Sequence, residues 1–190
     1  MTSFLKEVIN NIQKEGLDIS ELTFILPSKR AGTFLKDIVS QSIEKTIFAP
    51  EILSIEEFVE SLSELNYATN TELLFEFYKV YKELTPEPQQ ETFDQFSKWG
   101  QLLLQDFNEI DRYLIDPDHI FDYLKSIKEL NHWSLSEQQT PYIQNYLAFW
   151  NRLKIYYTKF RDELILNKKG YQGLVYREAV TGITPYMAAN

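Results

Sequence analysis

The spacing of hydrophobic residues over the first sixty positions predicts helices separated by short strands. Apolar side chains recur every three or four residues over about residues 3–15, which is typical of an amphipathic helix, and Gly16 is expected to end that helix. The run 22–26 is short, apolar and rich in β-favouring residues, so it predicts a buried strand. Ser28 is expected to cap a second helix, and residues 47–50 are expected to form a second strand.

From about residue 70 the hydrophobic pattern is helical almost throughout. Capping boxes, in which Ser or Thr is followed three residues later by Glu, predict helix starts at residues 54–57, 69–72 and 134–137. A long helix is expected from Phe93 to Leu114, and another is expected to begin at Asp116-Pro117. The last long helix has an apolar stripe that runs from Tyr142 to Leu164. A break between Gly170 and Gly173 is expected to precede a short helix over 175–180.

These elements predict an α/β to mainly α fold with two segments. Residues 1–62 are expected to form a small α/β lobe whose two or so strands pair in parallel across the intervening helix, and residues 63–190 a helical domain. A two-stranded parallel sheet needs cover on both faces, so it is expected to belong to a larger sheet or to lie under helices.

Composition excludes several kinds of chemistry. The 190 residues contain no cysteine and only two histidines, His119 and His132, so disulfides, cysteine-based zinc sites, iron–sulfur clusters, thiol catalysis and a histidine-rich metal site are not expected. No apolar run approaches the roughly 18 residues of a membrane span, and the N-terminus lacks the pattern of a secretory signal. The expected location is cytoplasmic, with no membrane partner and no cofactor.

The charge is negative overall but unevenly distributed. The net charge is −9, which argues against a simple basic nucleic-acid binder. Residues 51–94 hold two basic and eleven acidic side chains, whereas residues 145–190 hold seven basic and three acidic ones. The acidic middle would repel phosphates, while the balanced start and the basic end could lie beside them. The alternative is that all of these charges are solvated helix faces.

Motifs for nucleotide or metal chemistry are missing. The sequence has no GxxxxGK[ST] loop and no GxGxxG, so a phosphate cradle for ATP is not expected. One acidic cluster contains Asp106, Glu109 and Asp111. On a helix Asp111 would lie about 140° from Asp106, so a three-carboxylate metal site is poorly supported, and a solvated face or a salt bridge is the expected role.

The turn after the first strand is the strongest candidate site. Ser28, Lys29 and Arg30 lie where a predicted strand ends and a helix begins, and ligands of open α/β sheets bind at such ends. Amide groups at a helix start favour phosphate, and the two cations add charge. The alternative is an ordinary strand-to-helix turn with two basic residues on the surface.

Three segments, in their order along the chain, resemble a known family. Residues 24–32 (FILPSKRAG) resemble motif Ia of superfamily-one helicases of the AddB and RecB type, and residues 49–58 (APEILSIEEF) resemble the strand and Ser-capped helix that follow it. The helical remainder, with residues 151–157 (NRLKIYY), is similar to the helical insertion of those proteins. The chain as a whole is most similar to the N-terminal part of AddB-like proteins of Bacteroidetes type.

The resemblance implies a non-catalytic helicase-like module. AddB-like chains carry an inactivated helicase region and a PD-(D/E)xK nuclease, and the nuclease motif has no counterpart in this sequence. The family's phosphate-binding loop would precede the first helix, and this sequence begins at that helix. The expected partners are single-stranded DNA, a partner subunit or the rest of a longer chain. The expected DNA contacts are Ser28, Lys29 and Arg30, with secondary candidates on the last long helix: Arg152, Lys154, Lys159 and Arg161. The alternative function is a helical protein-interaction module without nucleic-acid contact.

Overall fold

The structure is a computed structural model that describes residues 3–43, 45–133 and 141–189, with the backbone alone for 128–133, 141–148, 150–151 and 189. The chain divides into two compact units, Met1–Ser61 and Leu62–Asn190. The elements, in chain order, are α1 (Phe4–Lys14), β1 (Thr23–Leu26), α2 (Lys29–Ser42), β2 (Glu51–Ser54), α3 (Ile55–Ser63), β3 (Asn66–Tyr67), α4 (Asn70–Leu84), α5 (Phe93–Arg112), α6 (Pro117–Trp133), α7 (Pro141–Leu166), β4 (Lys169–Gly170) and α8 (Gln172–Ala189). The mainly helical class with a small parallel sheet is therefore confirmed.

The first unit is a two-stranded parallel sheet covered by helices on one face. β1 and β2 pair in parallel, with Thr23 opposite Glu51 and Leu26 opposite Ser54, as expected for strands joined through α2. The buried core of this unit consists of Ile9, Ile19, Leu35 and Val39, and partly buried residues of both strands pack against it. The apolar faces of α1 and α2 and one face of the sheet are thus removed from water together.

The second strand lies four residues later than the sequence predicted. Residues 47–50 are outside any strand, and β2 runs from Glu51 to Ser54. Pro50 has no N–H group with which to join a strand ladder, and Phe48 is 89% exposed. Ile52 faces Phe24 across the ladder instead. Tertiary pairing with β1 therefore decides which part of the apolar stretch becomes the strand.

Side-chain caps begin several helices where the sequence predicted them. The Ser54 hydroxyl accepts from the Glu57 N–H at 3.2 Å, and the Glu57 carboxylate accepts from the Ser54 N–H at 2.9 Å. Thr69 and Glu72 make the same reciprocal pair at 3.3 and 2.9 Å. Both capping boxes are confirmed, while the predicted box at 134–137 lies outside the described residues.

The second unit packs its helices around an aromatic core. Phe77 of α4 is fully buried, and its ring lies 5.3 Å from that of Phe96, 5.5 Å from that of Phe107 and 5.2 Å from that of Phe160, measured between centroids. These partners come from α5 and α7, so a single side chain on α4 contacts both neighbouring helices. Tilted and edge-to-face ring pairs of this kind add to the stabilisation from apolar burial.

The end of the chain differs from the prediction in two ways. α8 is 18 residues long rather than a short helix over 175–180. Gly173 lies in the first turn of α8 and not in a break. Glycine is needed there because a Cβ atom would lie 2.1 Å from the Asn108 carbonyl oxygen. A second parallel pair, β3 with β4, joins Asn66 to Lys169 and was not predicted, since two-residue strands carry no periodic signal. Of the helices described, none is both long and apolar enough to cross a membrane.

Candidate nucleic-acid interface

The structure places Ser28, Lys29 and Arg30 at the carboxyl end of β1 and the start of α2. All three side chains are exposed. The Ser28 hydroxyl accepts from the Ala31 N–H at 3.3 Å and so acts as the N-cap predicted for this helix. The first N–H groups of a helix lack partners within it, so this turn presents donors and two cations at one surface position.

Lys29 shares its charge with a neighbouring carboxylate. Its ammonium lies 2.9 Å from Glu57 Oε1, and Glu57 is itself held by the capping box at Ser54. The hydrogen bond that the Lys29 ammonium donates to Glu57 is the main cause of the raised pKa of Lys29. The pKa of Glu57 falls to about 2, mainly because the Ser54 N–H and then Lys29 donate to its charged form. A phosphate at this turn must therefore compete with Glu57 for Lys29.

Arg30 is the cation of the turn that has no carboxylate partner among the described residues. It is exposed, and within the ranges that the structure describes it has neither an ion pair nor a side-chain hydrogen bond. A guanidinium offers a planar fork of donors that fits two phosphate oxygens at once. Arg30 is thus better placed than Lys29 for contact with an incoming anion.

Three of the four basic candidates on α7 are already paired. Lys154 contacts Asp118 at 3.1 Å and Asp122 at 3.4 Å, both on α6. Lys159 lies 2.9 Å from Glu163 and 3.5 Å from Glu83, and Arg161 lies 2.6 Å from Glu178. Arg152 is half-buried, and no described carboxylate pairs with it.

The four α7 residues also do not share one face of the helix. Arg152 and Lys159 are seven residues apart and lie on one side, whereas Lys154 is about 200° away from Arg152. The acidic partners named above lie around the helix with them, and this reduces the positive potential that DNA would meet. α7 therefore presents isolated cations rather than a continuous basic strip.

The acidic cluster singled out in the sequence contains a buried ion pair. Asp111 is fully buried, and its Oδ1 accepts from the Tyr157 hydroxyl at 2.5 Å while its Oδ2 accepts from the Tyr171 hydroxyl. Arg177 Nε lies 2.6 Å from Oδ1, close enough for an ion pair although it is not aligned as a hydrogen bond. Burial first, and then Asp111, raises the pKa of both tyrosines.

Asp111 of this cluster joins α5 to α7 and α8. Asp106 and Glu109 do not join Asp111, and among the described side chains no group of three or more metal-ligating residues is placed to hold an ion. Sequence reasoning allowed a salt bridge here but not its complete burial. The available signal was that Asp111 lies four residues after Phe107, on the buried stripe of α5.

Comparison with known proteins adds no assignment. No protein-family model matches the chain, and no curated protein matches it either. The resemblance to AddB-like proteins therefore depends on the three sequence segments that carry it.

Proposed function

We propose that the chain is a non-catalytic, helicase-like module of AddB type that acts in the cytoplasm. Its role would be to hold single-stranded DNA, or a partner subunit, during double-strand-break repair by a longer helicase–nuclease. The observation that supports this proposal most directly is the exposed turn Ser28-Lys29-Arg30, at the carboxyl end of a strand in a parallel pair. Open α/β sheets bind their ligands at this end.

The three residues of the turn have different tasks in this proposal. Arg30 contacts a phosphate with its guanidinium fork, because no described carboxylate occupies it. Lys29 supplies a point charge once the phosphate displaces Glu57 from its ammonium. Ser28 keeps its oxygen as the acceptor for Ala31 and donates its hydroxyl hydrogen to the ligand.

Titration of a fluorescently labelled single-stranded oligonucleotide at low salt, followed by anisotropy, tests the proposal. Arg30→Glu should weaken binding by about tenfold or more, since hydrogen bonds to a charged group contribute about 1.5–3 kcal/mol. Lys36→Glu is the matched control, because Lys36 is exposed on the same helix and the change in net charge is equal. That control should lose much less affinity than Arg30→Glu.

Glu57→Gln provides a test with the opposite expected sign. Glutamine can keep the capping hydrogen bonds to Ser54 but removes the negative charge beside Lys29. Oligonucleotide binding should become tighter, and the slope of log K against log salt should steepen by up to about one.

Unchanged binding in the double variant Lys29→Glu/Arg30→Glu would show that this turn is not the DNA contact.

A protein-interaction module without nucleic-acid contact is the second candidate. The pairing of Lys154, Lys159 and Arg161 with carboxylates favours it, as does the net charge of −9. Phe4, Phe34 and Phe48 in the first unit are also largely exposed. This candidate is preferred if the unaltered chain fails to bind oligonucleotide even at low ionic strength.

A further inference from the structure

A cleft of about 500 Å³ in the second unit is independent of the turn at Ser28. Its walls come from the end of α4, the segment 85–91, α5 and α7. The lining includes Tyr81, Glu91, Trp99, Phe149, Arg152 and Tyr156. Its volume lies within the range of roughly 300–1,000 Å³ that is typical of sites for small molecules. The described residues therefore line a partly open space that is large enough for a compact ligand.

The aromatic walls of the cleft are fixed by contacts with each other. The Trp99 ring meets Tyr81 edge-on at 5.4 Å and Phe149 edge-on at 5.5 Å between centroids. Trp99 Nε1 donates to Glu91 Oε2 at 2.7 Å, and the Tyr81 hydroxyl accepts from the Glu91 N–H at 2.8 Å. The wall is thus formed before any ligand arrives, so little side-chain ordering is needed on binding.

The cleft also holds hydroxyl groups beside these rings. Thr85 Oγ1 and the Tyr156 hydroxyl are buried and lie 2.7 Å apart, in a hydrogen bond that either oxygen can donate. This bond uses one of the two hydroxyl hydrogens. The second hydroxyl hydrogen is suited to an acceptor atom on a ligand, so the cleft is partly polar rather than uniformly apolar.

Arg152 gives the cleft its charge preference. Phe149, Arg152 and Tyr156 are spaced by three and four residues, so they share one face of α7 and line the cleft together. Glu91 is the carboxylate of the lining, but it is not within ion-pair distance of Arg152, and no other carboxylate in the described ranges is. A guanidinium beside aromatic rings is suited to an anion attached to a flat ring.

The number of negative charges on the ligand is limited by Glu91. Its carboxylate is held at the lining by Trp99. A ligand with several negative charges would meet repulsion from this side. We propose that the cleft binds a small aromatic monocarboxylate, with its ring against Trp99 and Phe149 and its carboxylate on Arg152.

Chemical-shift mapping on the full ¹⁵N-labelled chain tests this proposal with matched probes. Indole-3-acetate should give saturable shifts at the Trp99 indole N–H and at backbone amides of 85–91, whereas indole-3-acetamide, the neutral isostere, should bind about tenfold more weakly. Arg152→Gln should reduce the affinity for the acid to that for the amide, and Arg152→Lys should restore part of the difference. Lys154→Gln, on the other side of α7, should leave the ratio unchanged.

Three results would overturn the assignment. The first is the absence of saturable shifts at these positions with millimolar indole-3-acetate, phenylacetate and 2-naphthoate. The second is equal affinity of the unaltered chain for an acid and its amide, or a difference that survives Arg152→Gln in a chain whose spectrum remains folded. The third is tighter binding of phenyl phosphate than of the carboxylates, which would replace the monocarboxylate class with a doubly charged one.

Discussion

Asp111 and Tyr157 lie 46 residues apart in the sequence, yet the tyrosine hydroxyl donates to the buried carboxylate at 2.5 Å. The same carboxylate meets Tyr171 and Arg177, so it joins α5 to α7 and α8. A buried charge is tolerated only when partners replace the water that it has lost. The relative placement of these three helices is therefore tied to the satisfaction of a single side chain.

Asp111→Asn should destabilise the second unit strongly. It leaves the Arg177 guanidinium, which also donates to the carbonyls of Ile110 and Ile115, without its negative partner. Loss of one member of a buried ion pair costs about 3–5 kcal/mol. Urea unfolding followed by circular dichroism measures the change. Glu109→Gln, at an exposed position on α5, should cost less than about 1 kcal/mol. Equal effects of the two substitutions would contradict the role given to Asp111.

Phe77→Ala should be among the most damaging single changes to the aromatic core. The side chain is fully buried and contacts rings on α5 and α7, so its removal creates a cavity that rigid neighbours cannot fill. The expected loss is about 3–5 kcal/mol in the free energy of unfolding. Phe75→Ala is the control on the same helix, because Phe75 is half-exposed and stacks on Phe93. A loss at Phe75 as large as that at Phe77 would refute the placement of the core.

The lowered pKa values of Glu57 and Glu72 predict that the folded state loses stability in acid. Glu57 and Glu72 have folded-state pKa values of about 2, lowered first by backbone hydrogen bonds at Ser54 and Thr69, against an ordinary value of 4.5. The unfolded chain therefore binds more protons between about pH 5 and pH 2, so the stabilisation is complete above pH 5 and is lost as the pH falls through this window.

Glutamine substitutions isolate this titration from other acid effects. Glu57→Gln and Glu72→Gln should each flatten the fall of the unfolding midpoint between about pH 5 and pH 2, since glutamine does not titrate. Glu76→Gln is the comparison, because Glu76 is not in a capping box. A pH profile that neither capping substitution alters would contradict the assignment of the acid sensitivity to these residues.

Gly173→Ala should loosen the contact of α8 with α5. An added Cβ would lie 2.1 Å from the Asn108 carbonyl oxygen, which is backbone and cannot turn aside. Overpacking of this kind costs about 1–3 kcal/mol or more, and hydrogen exchange in α5 and α8 should become faster. Gly32→Ala meets only the Ile52 side chain at 3.1 Å and gains helix propensity, so exchange in α2 should change little. Unchanged exchange in α8 of Gly173→Ala would refute the close contact.

The local part of the fold was predictable because its signals are short-range. Ser28, Ser54 and Thr69 cap helices through hydrogen bonds to residues three positions away, so the sequence alone indicates them. The position of β2 was not predictable in this way. Both 47–50 and 51–54 contain apolar residues, and only the ladder with β1 selects the second.

For the candidate site, too, one part was predictable from the sequence and another part was not. The placement of Ser28, Lys29 and Arg30 at a strand-to-helix turn follows from the strand and capping patterns. The ion pair between Lys29 and Glu57 does not, because it depends on how α3 lies beside α2. The carboxylate partners of Lys154 and Arg161 were hidden for the same reason, since they belong to other helices.

The sequence by itself determined most of the helices, the caps at Ser28, Ser54 and Thr69, and the parallel arrangement of the first two strands, because hydrophobic period, capping geometry and the crossover rule act over short stretches of chain. Only the tertiary structure decided that Asp111 is buried against two tyrosines and an arginine. It also decided that Lys29 forms an ion pair with Glu57, whereas Arg30 has no carboxylate partner among the described residues. Finally, it brought Trp99 and Arg152 into the lining of one cleft. These relationships join residues that are distant in sequence, and their energies depend on burial and on neighbouring charges, which exist only after the helices have packed.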